Sequence, residues 1–589
     1  MIVNPGLRRF VGKTGLGGAR RTSTFLLDSN TSLIASHSAG SPTPTTTRAT
    51  VATVVDFEGR LVTVPSGCAR DQGGRFVQNL VATSSENFTA VGWGNVGGTV
   101  TVGYGTPPAG YASANRFVTT ITGQRVGQFG TVGVIAGHTY RVTFMVKSNT
   151  TPVSYNILTQ PTYGVDVQVP ITITTDWTKV SAQWVCAGVQ TSYALWSTSA
   201  SDISCTGALF EEVTGQSNQN PSEYVSVGVL SAPYHGWGAD GCKWFTYQNG
   251  NTVASNVVAE AQGAAITPDG YLSEPAGTNL LTWSNDLSNA AWVKNVNGTG
   301  VSATVTANYA VGPSGEMTAN RVQLDRGAGT NQSVDFARVY NVSGTGNKNS
   351  LYVKSNTGAN QTVCLSYPDS GISDAFVATP VWTLVSGGGG SYYQISSQGG
   401  FGTAVVDILV AECQSEATIV SSRIRTTTVA VTRNADLDTY VTAGNIPASG
   451  AFVIAGEFTS NISGGSTNRI QLSCGSDLNN YIEVGGLSDS TFRFTRNIAA
   501  SATQALIAHT PVAGTTYKWC VRYSTVTGLD VWLNGTKGTN SATTTQPILG
   551  TNIFYGARLD SLLQPYAALA NTTIYATDLS DSQCAALSS

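Results

Sequence analysis

Two carboxylates held about 5–10 Å apart can cleave a glycosidic bond, so acidic pairs are weighed first. Glu211 and Glu212 form the only Glu-Glu pair in the chain. Adjacent residues of a strand point to opposite faces, so these two cannot meet one substrate. A Ser-His-Asp arrangement needs an imidazole beside a serine. The histidines are His37, His138, His235 and His509, and no GxSxG elbow frames any serine. His138, in AGHTY, reads as a turn or surface histidine. The nine cysteines include no CxxC pair, and only Cys242 has a histidine, His235, within ten residues. That spacing argues against zinc and for buried free thiols made in a reducing compartment. Asp436 and Asp438, and Asp578 and Asp581, each bring two carboxylates together, but neither pair sits in an EF-hand loop. Ser580 or Asp581 capping a short helix accounts for the second pair, with Cys584 and Leu587 packing inward. The chain is expected to have no catalytic site, no metal site and no cofactor, with Ca2+ in the C-terminal domain as the one candidate.

Binding chemistry has two candidates. In YHGWGADGCKW, Tyr234, Trp237 and Trp244 stand among glycines, where a ring is less shielded and can stack on a sugar. The same rings could instead plug a seam between domains. At the N-terminus Arg8, Arg9, Lys13, Arg20 and Arg21 occur with no acidic residue among them. They form either a solvated arm or one that docks on an acidic partner surface. The net charge of −3 provides no global attraction for nucleic acid. No apolar run reaches the roughly 18 residues of a membrane span, and MIVNPGLRRFVGK has no apolar core of a secretory signal.

The elements that position these residues read as short strands. Charged residues are 11%, against about a quarter in an average domain. The 65 glycines and 23 tyrosines fit strands joined by turns rather than a disordered chain. At about 100–200 residues per domain, 589 residues imply three or four domains. VKSNT occurs twice, at 146–150 and 353–357. Further landmarks repeat in the same order: Asn79 with Asn279, Trp93 with Trp292, Asn115-Arg116 with Asn320-Arg321, Trp177 with Trp382, and Glu211 with Glu412. The chain therefore contains a duplicated domain. Trp93 and Trp292 are expected in its core. Lys147 and Lys354 are expected to lead the chain out of a sheet and to discourage edge pairing. In HTYRVTFMV, Tyr140, Val142, Phe144 and Val146 alternate with Arg141, Thr143 and Met145, a strand with one buried face.

The expected organisation is an arm and linker over 1–45, a β lead-in over 46–73, and a jelly roll over 74–215. A small β linker module follows over 216–273, with strands in EYVSVGVL and KWFTY and a turn at Asn249-Gly250. A second jelly roll spans 274–425 and a different β domain 426–589. The fold class is all-β: tandem antiparallel sandwiches or jelly rolls, then another sandwich. In TYKWCVRY, Tyr517, Trp519, Val521 and Tyr523 share one face.

TYKWCVRY, LDVWLNGTKG and IYATDLSDSQCAAL, in this order, resemble the concanavalin A-like, laminin-G-like sandwich. Some members of that family bind sugars, often with calcium. TTRATVATVVDFEGRLVTV and EPAGTNLLTWSNDLSNAAWVK, with the weaker GGRFVQNLVATSSENFTAVGW and the exit SSRIRTTTVAVTRNADL, resemble bacteriophage virion fibre proteins. The repeats look like the carbohydrate-binding-module jelly rolls of such fibres. This resemblance implies a tail fibre or spike-type protein at the virion surface, made in the bacterial cytoplasm. It implies anchoring to other virion proteins through the basic arm, a homotrimer, and attachment to a host glycan or surface protein. A head fibre or capsid decoration protein is the alternative, and a polysaccharide-degrading module a third reading. No nucleic acid and no membrane insertion is expected.

Overall fold

Short apolar–polar alternations bounded by glycine, serine and threonine turns become strands in the computed structural model of this chain. It describes residues 23, 25–27, 37–38, 44–229, 231, 234, 240–248, 263–331, 334–346, 348–365, 374–390, 392–401, 403–464 and 468–589. The described residues are all-β apart from one short helix, Asp581–Leu587. The described residues of 46–269 and 276–435 form one compact unit, and those of 1–45, 270–275 and 436–589 another.

The first unit contains the duplicated sandwich. In the first copy one sheet has the order Thr178–Val185, Thr139–Ser148, Ser201–Glu212, Asn115–Thr119, Thr99–Val102. The other has the order Val165–Ile173, Val153–Thr162, Gln190–Ser197, Arg125–Val132, Trp93–Val96. The second copy repeats both orders. Its sheets run Thr383–Gly388, Lys348–Ser355, Val405–Glu416, Ala319–Asp325, Val301–Ala310, and Asp374–Ala378, Gln361–Leu365, Tyr393–Gln398, Phe336–Asn341, Trp292–Asn297. All the ladders within these sheets are antiparallel.

The same side chains pin both copies. Asn79 donates to the carbonyls of Ala208 and Val225 and accepts from the Val81 and Phe210 amides. Asn279 does the same with Cys413, Ile424, Leu281 and Ser415. Arg116 grips Asp202 through Nε (3.0 Å) and Nη2 (2.5 Å), and Arg321 grips Asp407 likewise (2.9 and 2.5 Å). The asparagine of each VKSNT completes this group, Asn149 on Asp202 (2.8 Å) and Asn356 on Asp407 (3.1 Å). Lys147 and Lys354 sit on strands paired on both sides, so they do not guard a sheet edge. Trp292 is buried, whereas Trp93 is half-buried and stacked on Phe88 with centroids 3.9 Å apart.

The expected match of Glu211 with Glu412 does not hold. Arg141 lies opposite Glu211 and Lys348 opposite Glu416, which makes Glu416 the counterpart. Both carboxyls are buried, and each accepts a backbone amide, from Ser222 (3.1 Å) and Ser421 (2.7 Å). The strand carries a β-bulge in each copy, and there the φ-positive residues are Gly207 (57°) and Glu412 (55°).

HTYRVTFMV is buried on both faces, not one. Tyr140, Val142, Phe144 and Val146 enter the sandwich core, while Met145 packs with Val77, Tyr111, Leu209, Tyr224 and Val225 on the other side. The cover comes from the segment following the first copy. EYVSVGVL is accordingly not a strand over its described residues; Tyr224 and Val225 act as buried plugs. Cys242–Phe245 is a strand, paired with Arg75–Gln78. The lead-in is a hairpin of Ala52–Val55 and Leu61–Val64.

Within this unit the copies abut. A Cβ on Gly315 would stand 2.8 Å from the Gly215 Cα, and the Leu61 amide donates to the Pro313 carbonyl. His138 is buried here rather than at a free surface, its Nδ1 2.9 Å from Glu212 and its Nε2 3.8 Å from Glu316. Arg425 joins Glu316 (2.8 Å) to Glu412 (2.7 Å). Val431–Arg433 pairs with Gly277–Asn279, so the start of the stretch assigned to the last domain closes the second copy instead.

The other unit is a two-sheet sandwich. One sheet runs His37–Ser38, Phe25–Leu27, Ala567–Tyr575, Phe452–Ser460, Thr516–Ser524, Gly528–Leu533, Thr536–Lys537, with Gly270–Ser273 also on Ala567–Tyr575. The other includes Leu437–Val441, Asn552–Tyr555, Arg469–Asp477, Asn480–Leu487, Thr491–Ile498 and Ser501–Ala508 in that order. Part of the expected arm is therefore structural: Phe25 and Leu27 are buried, and Phe25 meets the Tyr440 ring edge-on at 5.1 Å. Likewise 270–273 belongs to this sandwich and not to a linker module. Tyr517, Trp519, Val521 and Tyr523 are all buried. Ser580 caps the helix with Gln583 in a reciprocal capping box, and Cys584 is buried beneath it.

Candidate functional site

In the first copy one sheet has its outer face covered, and in each copy the other sheet presents an arginine among aromatic rings. On Arg125–Val132, Val126 enters the core, so Arg125 and Gly127 face outward. Opposite them stand Trp196 and Ala194 on one side and Val96 and Gly94 on the other. The Arg125 guanidinium lies 4.6 Å from the Trp196 ring and 5.7 Å from that of Phe129. A Cβ on Gly94 would stand 2.6 Å from Phe129, so that ring lies down on the sheet. Asn156 and Gln168 extend the face and hydrogen-bond to each other at 2.7 Å.

Gln128 lies opposite Trp93, and Asn341 opposite Trp292. Three residues back along each strand, Arg125 and Arg338 occupy the same position. On Phe336–Asn341 the alternation is complete: Ala337 and Val339 enter the core, and Phe336, Arg338 and Tyr340 face outward. Arg338 is surrounded by Phe336 (4.5 Å), Tyr340 (4.8 Å) and Tyr392 (5.1 Å). It donates from Nε to Asn295 Oδ1 (3.2 Å) and from Nη1 to the Tyr392 hydroxyl (2.6 Å) and Gln394 Oε1 (3.3 Å). Rings, amides and a cation on a flat sheet suit a hydroxyl-rich ligand: rings stack on its apolar faces, and the polar groups fix its orientation.

The residues expected from sequence lie elsewhere. Trp244 is 1% exposed, donates to the Ala69 carbonyl (3.0 Å) and packs on Phe76 with centroids 4.8 Å apart. It is a core residue and offers no face to a sugar. Tyr234 packs against Tyr111 (5.0 Å) and Tyr224 (5.1 Å) as part of the cover described above. Trp237, His235, Asn249, Gly250, and the arm residues Arg8, Arg9, Lys13, Arg20 and Arg21 lie outside the described residues. The outer-face residues were missed, although alternation in FARVYN points to them.

Glu211 is buried and Glu212 bonds His138, so the two carboxyls stand apart in environment as well as direction. Burial pushes the Glu211 and Glu416 carboxyls above the ordinary carboxylate range. All nine cysteines are free and buried. Among the described residues no group of three or more His, Cys, Asp and Glu side chains gathers to hold a metal ion. Asp578 accepts from Ser524 (2.6 Å), and Asp581 is paired with Lys537 and Arg522 (both 2.8 Å).

No family model matches the chain, and no curated protein matches it. Among solved structures, the CBM40 module of a Ruminococcus gnavus IT-sialidase is 13% identical, with 26% of this chain and 92% of that one covered and a TM-score of 0.22. The tandem CBM22 modules of Paenibacillus barcinonensis Xyn10C are 10% identical over 62% and 96%, with a TM-score of 0.21. A SAP-like pentraxin from Limulus polyphemus is 18% identical over 24% and 70%, with a TM-score of 0.20. Likeness this low lends the chain no function, and its fold rests on its own strand ladders.

Proposed function

We propose that this protein is a structural component of a bacteriophage virion, of tail fibre or spike type, that presents non-catalytic β domains to glycans on the host surface. The observation that carries the binding half is the repeated outer face, where Arg125 and Arg338 stand at one position among rings and amides. The virion half is supported by the sequence resemblance to fibre proteins. Other virion proteins are the proposed partners at the N-terminus, and a homotrimer would multiply weak sites into avidity. Val165 and Val167, exposed on an edge strand of the first copy, are apolar surface suited to such an assembly.

A glycan array probed with the full-length protein tests the binding half. Binding that falls when Trp196 and Tyr340 are replaced by alanine supports it; silence across host-derived saccharides overturns it. Gold-labelled antibody on intact particles tests the virion half. Label at the tail supports the fibre reading, label over the head supports a head fibre or decoration protein, and unlabelled particles overturn both.

A further inference from the structure

We infer that the glycan taken by these two faces is acidic, with a saccharide carboxylate received by Arg125 and Arg338. The inference rests on the glycan-binding reading above and deepens it.

The argument begins with what these arginines lack. On the opposite sheets Arg116 and Arg321 are neutralised by Asp202 and Asp407 through two-pronged ion pairs. Arg125 has no carboxylate partner among the described residues, and its guanidinium donates no hydrogen bond there; it meets only rings. Arg338 is held by neutral acceptors alone, an amide oxygen of Asn295, a phenol of Tyr392 and an amide oxygen of Gln394. Its Nη2 donates no hydrogen bond among the described residues. Asp166, on the edge strand of the first face, is taken up by Gln160 at 2.6 Å.

Stacking is what makes these cations usable. A guanidinium lying on a ring is fixed in orientation. On Arg125 the in-plane N–H groups stay free at the edge, and these paired donors match the two oxygens of a carboxylate with a charge-assisted geometry that a sugar hydroxyl cannot match. On Arg338 Nε and Nη1 are engaged, and Nη2 offers a charge-assisted contact to one carboxylate oxygen. A cation kept without an acid at the same position of both copies is what an anionic ligand requires. A site for neutral sugars gains nothing from leaving that charge uncompensated. Around the cation the two faces differ. In the first copy the adjacent row is Gly127 and Ala194, both buried; in the second it is Tyr340, half-buried, and Gln394, which is buried. The shared element is the carboxylate receptor, and the rest of the saccharide is contacted differently.

The test is calorimetric titration of the full-length protein with uronic- and sialic-acid-containing oligosaccharides, each beside its carboxyl-reduced counterpart, plus neutral oligosaccharides. The expected result is binding that weakens at least about tenfold on carboxyl reduction and weakens with added salt. The preference should be abolished in the Arg125→Gln/Arg338→Gln double variant and partly kept in the Arg→Lys pair, which retains charge if the Gln variant melts early. Equal binding of acidic and reduced saccharides overturns this inference and leaves the glycan reading standing. An acid preference unchanged in the double variant overturns the assignment to these arginines. No binding across the acidic, reduced and neutral saccharides overturns both readings.

Discussion

The two copies of the duplicated sandwich agree where their strands are pinned and differ where their sheets face outward. Asn79 and Asn279, and the Arg–Asp–Asn groups on Asp202 and Asp407, make equivalent hydrogen bonds in both. On the outer face only the arginine is repeated. Trp196 corresponds to Ser396, Ala194 to Gln394 and Gly127 to Tyr340, so the rings reach the cation from different directions. A frame that needs buried partners tolerates little change, because an unmatched buried amide or carbonyl costs about 1–3 kcal/mol. An outer face has no such constraint, and two related surfaces can diverge around one retained charge.

The largest expected effect tests the frame. Asn79→Ala and Asn279→Ala each leave four buried backbone groups without a partner, so each should destabilise its own copy by about 3 kcal/mol or more. Urea unfolding should report similar losses. A loss in one copy alone would break the equivalence.

Next is the bulge. Gly207→Ala would place a Cβ 2.3 Å from the Tyr111 ring at a φ of 57°, and should cost about 2–4 kcal/mol in a thermal or urea melt. Glu412→Gly relieves the same backbone conformation in the second copy but removes one of the Arg425 carboxylate partners. Glu412 is buried and also accepts from Asn285, so its loss outweighs the relief, and a net cost of about 2–3 kcal/mol is expected. A gain in stability would mean that backbone strain dominates at the second bulge.

The outer faces come third. Trp196→Ala and Tyr340→Ala should each reduce saccharide affinity about tenfold, or roughly 1.4 kcal/mol, without lowering the melting temperature by more than a few degrees. A ligand titrated into each variant would show which copy it prefers.

The smallest effect is on pH dependence. Burial raises the folded-state pKa of Glu211 and Glu416 above the ordinary 4.5. The folded state therefore holds these protons longer than the unfolded chain. Their contribution to stability is full below the ordinary carboxyl range and is lost as pH rises through the raised values. Glu211→Gln and Glu416→Gln should flatten that fall in melts run across pH, by similar amounts if the carboxyls are counterparts.

The duplication was legible in the sequence because its landmarks are frame residues, whose roles fix their order. The match of Glu211 with Glu412 failed for a physical reason. Both copies carry the bulge, at Gly207 and Glu412, and Glu211 and Glu416 stand at the same place beyond it; ALFEE and LVAEC look alike only when the second is read out of register. The two-sided burial of HTYRVTFMV was not legible, since its second cover comes from Tyr224 and Val225, far along the chain. Nor was the burial of Phe25 and Leu27, which lie on a three-residue strand in a polar stretch and pair with Ala567–Tyr575, far along the chain. Tyr234 and Trp244 drew attention because glycines surround them, yet packing takes up Trp244 completely and Tyr234 in part. Phe336, Arg338 and Tyr340 were legible by period-two alternation, but an arginine between aromatics in a strand reads equally as a solvated face.

The most direct measurement is photo-crosslinking of the full-length protein with diazirine-bearing oligosaccharides, followed by peptide mass spectrometry. The account predicts label on peptides spanning 125–132, 190–197, 336–341 and 392–398, and little on 241–248. Label concentrated on the peptides around Tyr234 and Trp244, with the two arginine faces unlabelled, would contradict it.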